Sequence, residues 1–510
     1  MTLWDYFERA VERAPHAEAM VSNGRRWTYQ QLREEVCHVT ANLVRRDIHS
    51  GDHVLVVLKN RWENIIVYWA CQYLGVIYTP INFRLSEAEL AYCLEDSQAV
   101  LVVAEETLRP VWEQIMRSWP HPVQMVLVGG RGADSFEELR TPGLPTDTTP
   151  EPAHEDETAI MLYTAGTTGQ PKGVPRSHRN EIAAAIAHII QNTYTTGERT
   201  VAVMPFYHTM GMRSLLSMTF LNGSLILVPD YETDRLAELI DQESVSVLYL
   251  VPTLFYDLVN LPGGDRFHWQ SLKKIGYAGA AMTTTLTQQC FARFHPTMFV
   301  NHFGSSEVYT YTICSWLDRK PACAGRPGFH EAIRLVPIGG VEVHPHQPVA
   351  RGDVGEVIVH LSSPEAFQGY WHRPEANARA LREGWYFTGD VGWQDEEGDL
   401  WVMGRVDDML ITGGENVHPL EVEDVLSQHP QVAEVAVVGL PDPRWGQVVT
   451  AFIVARHPDL TAEVLDQYCR ASPILAQFKR PRRYIFVPEI PKSPVGKILR
   501  RRLKEGHYPA

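Results

Sequence analysis

The chain has 510 residues, of which 45% are hydrophobic and 21% are charged, and its formal net charge is −15. This length predicts at least two domains, and the acidic balance disfavours general nucleic-acid binding. No apolar run approaches the length of a membrane span, and the seven cysteines form no Cys-x-x-Cys pair that would indicate a zinc site or a redox dithiol. The N-terminus lacks the features of a secretory signal, so we expect a cytoplasmic protein.

Strand and helix patterns alternate through the first hundred residues. The predicted helices are Leu3–Ala14, Trp27–Arg46, Glu63–Leu74 and Ser86–Asp96, and the predicted strands are Val54–Leu58, Val76–Pro80 and Ala99–Val103. Such βαβ repetition indicates a parallel sheet with helices on both faces. The segment from about Arg140 to Glu157 is rich in Pro, Thr and Glu and is predicted to be a linker.

The eleven residues from Tyr163 to Gly173 read Tyr-Thr-Ala-Gly-Thr-Thr-Gly-Gln-Pro-Lys-Gly and have the composition of a phosphate loop. Its glycines let backbone N–H groups turn toward one point, its threonines add hydroxyl donors, and Lys172 adds a positive charge. An apolar strand at 159–162 and a helical pattern at 180–192 place this loop at a predicted strand-to-helix junction. The order Pro-Lys-Gly excludes a Walker A motif. A flexible surface turn is the alternative.

Strand and helix patterns resume after the loop as a second α/β layer, which extends from Thr200 to Leu250. From Ala332 to Leu361 the pattern changes to short β runs with Gly/Pro turns, which is typical of a small barrel-like subdomain. Charged residues and glycines at 404–414 then precede an α+β pattern, with a helix predicted at Val417–His429. We expect an N-terminal domain at 1–404, a hinge at 405–408 and a mobile C-terminal domain at 409–510.

Further stretches combine with the loop into one pattern, namely Asn301-His-Phe-Gly-Ser-Ser-Glu307, Tyr386-Phe-Thr-Gly-Asp390, Gly404-Arg-Val-Asp-Asp408 and Pro491-Lys-Ser-Pro-Val-Gly-Lys497. This set resembles the adenylate-forming superfamily of acyl- and aryl-CoA synthetases, firefly luciferase and the adenylation domains of peptide synthetases. The resemblance covers nearly the whole chain and is greatest to the 4-chlorobenzoate:CoA ligases. It implies ATP, CoA and Mg²⁺ as reactants and cofactor, and a carboxylic acid as the substrate.

The resemblance also implies roles for individual residues. The implied catalytic residues are Lys497, Glu307 (as the Mg²⁺ ligand), Lys172 and His208. The implied ATP- and AMP-binding residues are Thr164, Gly166, Thr167, Thr168, Gly169, Ala280, Phe303, Ser306, Asp390 and Arg405. Asp407 is the implied hinge. Phe303 and Ser306 replace the family's commoner tyrosine and threonine, and both retain the ring face or hydroxyl that the role requires.

An acid pocket and a CoA site are implied in the same way. The acid-pocket residues are His208, Thr209, Met210, Tyr249, Ala280, His302, Gly304, Tyr309 and Thr310. The CoA-site residues are Arg84, Gly413, Gly414, Trp445, Phe478, Arg480 and Arg482. The basic C-terminal tail, with ten Lys/Arg in the last forty residues, is either a solvated face or a surface for these phosphates.

The implied reaction is activation of a carboxylic acid as an acyl-adenylate, followed by its capture as a CoA thioester. The aromatic walls of this pocket favour a flat benzoate-type or related cyclic acid over a long alkyl chain. A hydroxyl, amino or other polar substituent is expected in preference to the chlorine of 4-chlorobenzoate, because a halogen would leave the polar tips of Thr209, His302 and Tyr309 unpaired. The alternatives are a short or medium aliphatic acid, an adenylation enzyme that loads a carrier protein, and a non-catalytic nucleotide-binding protein. A homodimer is compatible with the sequence.

Overall fold

The computed structural model describes residues 1–117, 119–142, 153–164, 170–340, 342–493 and 496–509. Side chains cap the N-termini of several helices at the residues where the sequence predicts a helix to start. Thr2 and Asp5 form a reciprocal capping box on the first helix, and Ser86 and Glu89 form another on the fourth. The helices are α1 Leu3–Arg13, α2 Tyr29–Arg45, α3 Trp62–Leu74, α4 Glu87–Ser97, α5 Arg109–Arg117, α6 Phe136–Leu139, α7 His178–Gln191, α8 Thr209–Phe220, α9 Thr233–Gln242, α10 Pro252–Val259, α11 Thr284–Phe294, α12 Pro374–Ala380, α13 Pro419–Ser427, α14 Ala462–Ala471 and α15 Arg500–Lys504.

Within the described ranges, the strands fall into five sheets. They are β1 Glu18–Ser22, β2 Arg25–Thr28, β3 His53–Val57, β4 Ile77–Pro80, β5 Leu101–Glu105, β6 Gln124–Val128, β7 Thr158–Thr164, β8 Lys172–Ser177, β9 Arg199–Ala202, β10 Ser224–Leu227, β11 Val247–Leu250, β12 Lys274–Tyr277, β13 Met298–Phe303, β14 Thr312–Cys314, β15 Arg326–Pro327, β16 Ile333–Val336, β17 Gly355–His360, β18 Leu381–Arg382, β19 Trp385–Gln394, β20 Leu400–Arg405, β21 Leu410–Thr412, β22 Glu415–Val417, β23 Val432–Asp442, β24 Gly446–Ala455 and β25 Arg483–Phe486.

The predicted parallel sheet is confirmed as a six-stranded sheet of order β6-β5-β3-β4-β7-β8. One expectation about it is wrong. The strand β7 pairs with the antiparallel strand β8 from Thr158 opposite Ser177 to Thr164 opposite Lys172, with a register shift between Thr158 and Ile160, and α7 begins only after β8. The phosphate loop therefore connects two strands of a hairpin. The Gly and Pro residues of β8 hid this strand from the sequence pattern, but they are tolerated because β8 is an edge strand.

The second α/β layer is also confirmed, and it consists of two sheets. One has the order β2-β1-β10-β9, and the other has the order β11-β12-β13-β14-β15. The strands β11, β12 and β13 are parallel, so their carboxyl ends lie at one edge of the sheet. Loops at the carboxyl ends of parallel strands commonly form ligand sites. The segments around Ala280 and from Phe303 to Thr310 start at this edge.

Antiparallel strands β16 to β20 form a five-stranded sheet in the region of the predicted barrel-like subdomain. Pairing of β19 with β20 sets Asp390 opposite Arg405. Strands β21 to β25 form a further sheet with its own apolar core beneath α13 and α14. The predicted helix Val417–His429 is shorter, because Val417 ends β22 and Pro419 opens α13. The domain boundaries at 404 and 409 remain a prediction.

Among the described residues, the search for helices that could cross a membrane finds none of sufficient length and apolarity.

Candidate active site

Two of the predicted phosphate-loop residues pair with each other at the loop end of the β7–β8 hairpin. Thr164 is the last residue of β7 and Lys172 the first of β8, and the Thr164 hydroxyl lies 3.5 Å from the Lys172 carbonyl oxygen. The other loop residues that the sequence assigned to ATP lie outside the described part of the chain; they are Gly166, Thr167, Thr168 and Gly169.

A tyrosine that the sequence analysis missed connects Lys172 to the predicted metal ligand. The Lys172 ammonium lies 4.2 Å from the ring centroid of Tyr370, and the Tyr370 hydroxyl donates a 2.8 Å hydrogen bond to Glu307 Oε1. Burial lowers the pKa of Lys172, and the Glu307 charge opposes this shift. Neither motif contains Tyr370, and the contact exists only because the loop at 363–371 packs against both.

A buried arginine supports the backbone around Glu307. Arg176 of β8 donates a 2.9 Å hydrogen bond to the Ser306 carbonyl, and the Ser305 hydroxyl accepts from the Glu307 N–H at 3.1 Å. The described residues contain no cluster of three or more His, Cys, Asp or Glu that could hold a metal. A single fixed carboxylate fits Mg²⁺ in such a site, because Mg²⁺ usually completes its shell with substrate phosphates and water.

Asp390 and Arg405 form an ion pair between the adjacent strands β19 and β20. Arg405 Nη1 lies 3.2 Å from Asp390 Oδ1, and the Thr388 hydroxyl accepts from the Asp390 N–H at 3.0 Å. Burial raises the pKa of the Asp390 carboxyl, although the Arg405 and Lys497 charges oppose this shift. The Asp390 carboxylate has free acceptor capacity, since Arg405 occupies one of its oxygens, and could therefore accept hydroxyl donors.

Lys497, which is 107 residues beyond Asp390 in the sequence, reaches the same place. Its backbone N–H bonds the Ser493 hydroxyl at 3.1 Å, and its carbonyl accepts from the Ser493 N–H at 2.7 Å, so a tight turn fixes its position. The side chain keeps solvent-exposed surface, yet enough protein surrounds the ammonium to lower its pKa by desolvation, which Asp390 opposes. The structure therefore brings Lys497 into the electrostatic range of Asp390, Arg405 and Glu307.

His208 belongs to this group as well. It precedes α8, and its Nδ1 accepts a 3.5 Å hydrogen bond from the Met210 N–H. Burial together with the Lys497 charge lowers the pKa of His208 to about 3, so its imidazole is neutral at physiological pH.

The other predicted acid-pocket residues surround the carboxyl edge of the β11–β13 sheet. Thr209, Met210, Tyr249, His302, Tyr309 and Thr310 are buried, and Ala280 and Gly304 are partly buried. A Cβ at Gly304 would overlap the Tyr309 carbonyl oxygen, so this close approach requires glycine. The expectation that a halogen would leave the Tyr309 hydroxyl unpaired is wrong, because this hydroxyl lies 2.9 Å from His188 Nδ1 and 3.1 Å from the Tyr249 hydroxyl.

Sequence reasoning also missed the residues that pack behind this pocket. His188 and Asn192 come from α7 and its C-terminal end, and Asn192 Nδ2 lies 3.0 Å from His302 Nε2. Arg213 of α8 lies over the Tyr309 ring and pairs with Glu181 of α7, which also pairs with Arg176. No motif carries these residues. A polar residue on an otherwise apolar helix face was the only available signal.

Among the predicted CoA residues, the structure brings the Gly413–Gly414 turn and Trp445 together. Gly413 and Gly414 make the turn between β21 and β22, and the Gly413 N–H bonds the Trp445 carbonyl at 2.9 Å. Four others are exposed side chains: Arg84, Trp445, Phe478 and Arg482. Arg480 differs, because it is buried and paired with Asp466 of α14.

Comparison with known proteins decides the family. The family model described as AMP-binding enzyme matches residues 7–371, which is more than half of the chain, and the model described as AMP-binding enzyme C-terminal domain matches residues 421–497. The chain belongs to the AMP-binding enzyme family. It is an AMP-forming acid–thiol ligase, as its sequence predicted, and ATP, CoA and Mg²⁺ fit this family.

Individual relatives of this AMP-binding enzyme align along nearly their whole lengths. A 2-succinylbenzoate–CoA ligase of Bacillus cereus is 30% identical, with 94% of this chain and 93% of the relative aligned. A 4-chlorobenzoate–CoA ligase of Arthrobacter is 32% identical over 99% of this chain and 95% of the relative. A fatty acid–[acyl-carrier-protein] ligase of Streptomyces coeruleorubidus is 30% identical, over 97% and 94%.

One solved structure similar to the present one is an anthranilate CoA ligase in complex with anthranoyl-AMP. Its TM-score is 0.91 and its sequence identity is 26%, and the match covers all of this chain and 97% of that one.

Proposed function

We propose that this ligase converts a benzoate-type carboxylic acid into its CoA thioester in two half-reactions. In the first, a carboxylate oxygen of the acid attacks the α-phosphorus of ATP, and the bond to pyrophosphate breaks. In the second, the CoA sulfur attacks the carbonyl carbon of the acyl-adenylate, and AMP leaves with the electron pair of the broken carbon–oxygen bond. The observation that carries this proposal is the convergence of Lys497 with Asp390, Arg405 and Glu307.

Each of these residues has a task in the first half-reaction. Lys172 and Lys497 supply positive charge where negative charge builds on the phosphates. Because both ammonium groups are in place before the phosphorus reacts, the protein does not have to reorganise around the transition state. Asp390 accepts hydrogen bonds from the ribose hydroxyls, and Arg405 holds its carboxylate in place. Glu307 would hold Mg²⁺, which neutralises phosphate charge when bound.

The preference for an aryl acid is supported by the walls of the pocket. The His188 ring lies 4.8 Å from the Tyr249 ring and 5.0 Å from the His302 ring, centroid to centroid, and these rings are buried. Flat rings pack well against such walls, because offset and edge-to-face contacts add about 0.5–1.5 kcal/mol to the burial of a ring. The relatives named for chlorobenzoate and succinylbenzoate support the same class.

A panel of acids tests this proposal. AMP release that depends on CoA would be measured for benzoate, the hydroxybenzoates, 4-chlorobenzoate, hexanoate and palmitate. We expect the highest kcat/KM for an aryl acid. A clear preference for either alkyl acid over every aryl acid would establish the aliphatic alternative instead.

One relative is named a fatty acid–[acyl-carrier-protein] ligase, which suggests a carrier protein as an alternative acceptor of the acyl group. Purified enzyme with a preferred acid would be offered CoA or a phosphopantetheine-loaded acyl carrier protein. We expect thioester formation on free CoA. Loading of the carrier protein alone would assign the enzyme to carrier loading, and ATP–pyrophosphate exchange without either thioester would leave only the first half-reaction.

We propose that the enzyme acts in the cytoplasm, where ATP and CoA are available together. Neither half-reaction as described requires a nucleic acid or a second protein. A homodimer is a separate proposal, and light scattering of the purified enzyme would test it.

A further inference from the structure

One tyrosine side chain contacts two opposite charges on the nucleotide side of the site. The Tyr370 hydroxyl donates a 2.8 Å hydrogen bond to Glu307 Oε1, and the Lys172 ammonium lies 4.2 Å from the centroid of the same ring. The Glu307 charge acts on Lys172, since it opposes the lowering of the lysine pKa by burial. Within the described ranges, however, no ion pair joins Lys172 to Glu307. The phenol thus contacts both charges while they do not contact each other.

The neighbours of the Tyr370 hydroxyl set the direction of its hydrogen bond. An ionised carboxylate accepts and cannot donate, so the single phenol proton points to Glu307. The Tyr386 hydroxyl lies 3.4 Å from the Tyr370 oxygen and is then the donor of that contact. Tyr386 belongs to β19, the strand of Asp390. A chain of hydrogen bonds therefore connects the strand of the proposed ribose-binding residue to the proposed metal ligand.

The backbone on both sides of Tyr370 is bonded to the segments that carry the two charges. The Phe367 N–H donates to the Glu307 carbonyl at 2.8 Å. The Trp371 N–H donates at 2.9 Å to the carbonyl of Gly173 in β8, the strand that Lys172 opens. These two bonds place the tyrosine between both segments.

An asparagine fixes the Tyr370 backbone from the other side. Asn377 of α12 accepts from the Tyr370 N–H at 2.7 Å and donates to the Tyr370 carbonyl at 3.1 Å. Gly369 has a φ of +138°, and a Cβ there would lie 3.0 Å from Asn377 Nδ2, so this approach requires glycine. The position of Tyr370 is therefore set by the protein itself.

Both contacts leave the charges available to a nucleotide. The hydrogen bond occupies Oε1 of Glu307, and outer hydrogen bonds of this kind commonly orient a carboxylate that binds a metal. A cation over the face of an aromatic ring is attracted to it and keeps its net charge. A direct ion pair of Lys172 with Glu307 would instead cancel both charges.

We propose that Tyr370 is a positioning residue that orients Glu307 for Mg²⁺ and Lys172 for the phosphates, and that keeps the two residues from pairing. This inference rests on the proposed function. The hydroxyl acts on the carboxylate and the ring acts on the ammonium, so the two contacts can be removed separately.

Calorimetric binding of ATP, with no acid present, tests the hydroxyl. The Kd of ATP would be measured in MgCl₂ and in EDTA, and the ratio of the two values is the Mg²⁺ enhancement of binding. We expect Tyr370→Phe to lower this enhancement by about tenfold, because the loss of an outer hydrogen bond to a ligating carboxylate weakens metal binding. The Kd in EDTA should keep its wild-type value, because the ring is retained. An unchanged enhancement would overturn the inference.

The variant Tyr370→Leu tests the ring. It removes both contacts, so we expect the Kd of ATP to rise in EDTA as well, because Lys172 can then pair with Glu307. A Kd in EDTA equal to that of Tyr370→Phe would overturn the role of the ring. Tyr370→Phe retains nearly the same shape, and it decides alone if thermal unfolding shows that Tyr370→Leu does not fold.

The matched control removes another buried tyrosine hydroxyl. Tyr29 is buried, and its hydroxyl donates to the Met218 and Gly223 carbonyls at 3.1 and 2.9 Å. Tyr29→Phe should lower the thermal stability and leave both Kd values of ATP unchanged. An equal fall of the Mg²⁺ enhancement in Tyr29→Phe would assign the effect to a general loss of packing, against the proposal.

The outcomes separate this inference from the proposed function. If aryl-CoA forms and Tyr370→Phe has the wild-type Mg²⁺ enhancement, the positioning role is wrong and the aryl-CoA ligase assignment stands. If the wild-type enzyme activates only alkyl acids, the aryl assignment fails, and ATP binding still decides the role of Tyr370. If Mg²⁺ does not enhance ATP binding to the wild-type enzyme, the metal role of Glu307 and the positioning role fail together.

Discussion

The position of Lys497 predicts a loss that is confined to one half-reaction. Its ammonium interacts electrostatically with Asp390, Arg405 and Glu307 in this arrangement, and these charges shift its pKa. We expect Lys497→Ala to slow acyl-adenylate formation by roughly 100-fold or more, because that charge is aligned before the reaction. Thioester formation from presynthesised acyl-adenylate should be nearly unchanged. ATP–pyrophosphate exchange and single-turnover thioester formation measure the two steps.

The control for this substitution is Lys504→Ala, which removes a lysine of α15 that has no role in the proposed site. It should retain both activities. Equal losses of both half-reactions in Lys497→Ala would contradict the assignment of this lysine to the first step alone.

The buried imidazole of His302 predicts a dependence of stability on pH. Its pKa is about 3 in the folded protein and near 6.5 in the unfolded chain. Between these values the unfolded chain binds the proton and the folded protein does not, so the free energy of unfolding falls as pH falls from about 6.5 toward 3. Urea unfolding of His302→Asn at pH 7.5, 6.5 and 5.5 should show a shallower decline than the wild type.

The matched control is His268→Asn, since His268 is an exposed side chain. Its stability should decline with pH as steeply as that of the wild type. A wild-type slope in His302→Asn would show that other groups cause the acid sensitivity.

Motif residues could be predicted one by one from the sequence, and their neighbours could not. Lys172, Glu307, Asp390, Arg405 and Lys497 stand in stretches whose residue types and spacing match one pattern. Their convergence is what the structure adds.

Tyr370 and His188 stand in no such stretch. Their partners are 63 and 121 residues away in the sequence, at Glu307 and Tyr309. Such contacts depend on how sheets and loops pack, which residue types alone do not encode.

At the scale of elements, a buried charge cluster connects β8, α7 and α8. Glu181 pairs with Arg176 and Arg213, and all three side chains are fully or almost fully buried. We expect Glu181→Gln to reduce the free energy of unfolding by about 3–5 kcal/mol, because it leaves two buried guanidinium groups facing a neutral amide. Urea unfolding monitored by tryptophan fluorescence would measure the change.

Glu155→Gln is the control, because Glu155 pairs with Arg179 at the surface. Solvent screens this ion pair, so its loss should change the stability little. A similar small change in Glu181→Gln would mean that the buried arginines find other partners or water.

The β7–β8 hairpin shows the limit of pattern reasoning at this scale. The apolar run of β7 predicted a strand correctly. The residues of β8 have a weak strand preference, and their pairing with β7 overrides it, as strand formation depends strongly on context. The pattern therefore predicted the strand before the loop and missed the strand after it, so the predicted strand-to-helix junction is a hairpin.

At the scale of the whole molecule, the turn that carries Lys497 packs closely on the large N-terminal region. A Cβ on Gly496 would lie 2.5 Å from the Thr253 hydroxyl oxygen. The Gly413–Gly414 turn packs instead on Trp445 within the C-terminal sheet. We infer that the two turns serve different half-reactions and that the chain rotates near Asp407 to exchange them.

This exchange predicts the effect of a rigid hinge. Asp407 lies in the short 3₁₀ turn Val406–Asp408 that follows β20. We expect Asp407→Pro to retain acyl-adenylate formation and to slow thioester formation by roughly tenfold or more, because proline fixes φ near −65°. The measurement is single-turnover formation of the thioester from presynthesised acyl-adenylate.

Asp407→Ala is the control for the loss of the carboxylate, and it should form thioester faster than Asp407→Pro. Thioester formation at the wild-type rate in Asp407→Pro would place the pivot elsewhere.

The buried cluster of Arg176, Glu181 and Arg213 also limits how this protein can be altered in the laboratory. Arg176 supports the backbone beside Glu307, and Arg213 lies against Tyr309 in the acid pocket. A mutant library that varies Arg213 to broaden substrate range would therefore disturb the nucleotide side as well. Libraries restricted to His188, His302 and Thr310 would leave that charge cluster intact, and should yield more active clones per variant screened.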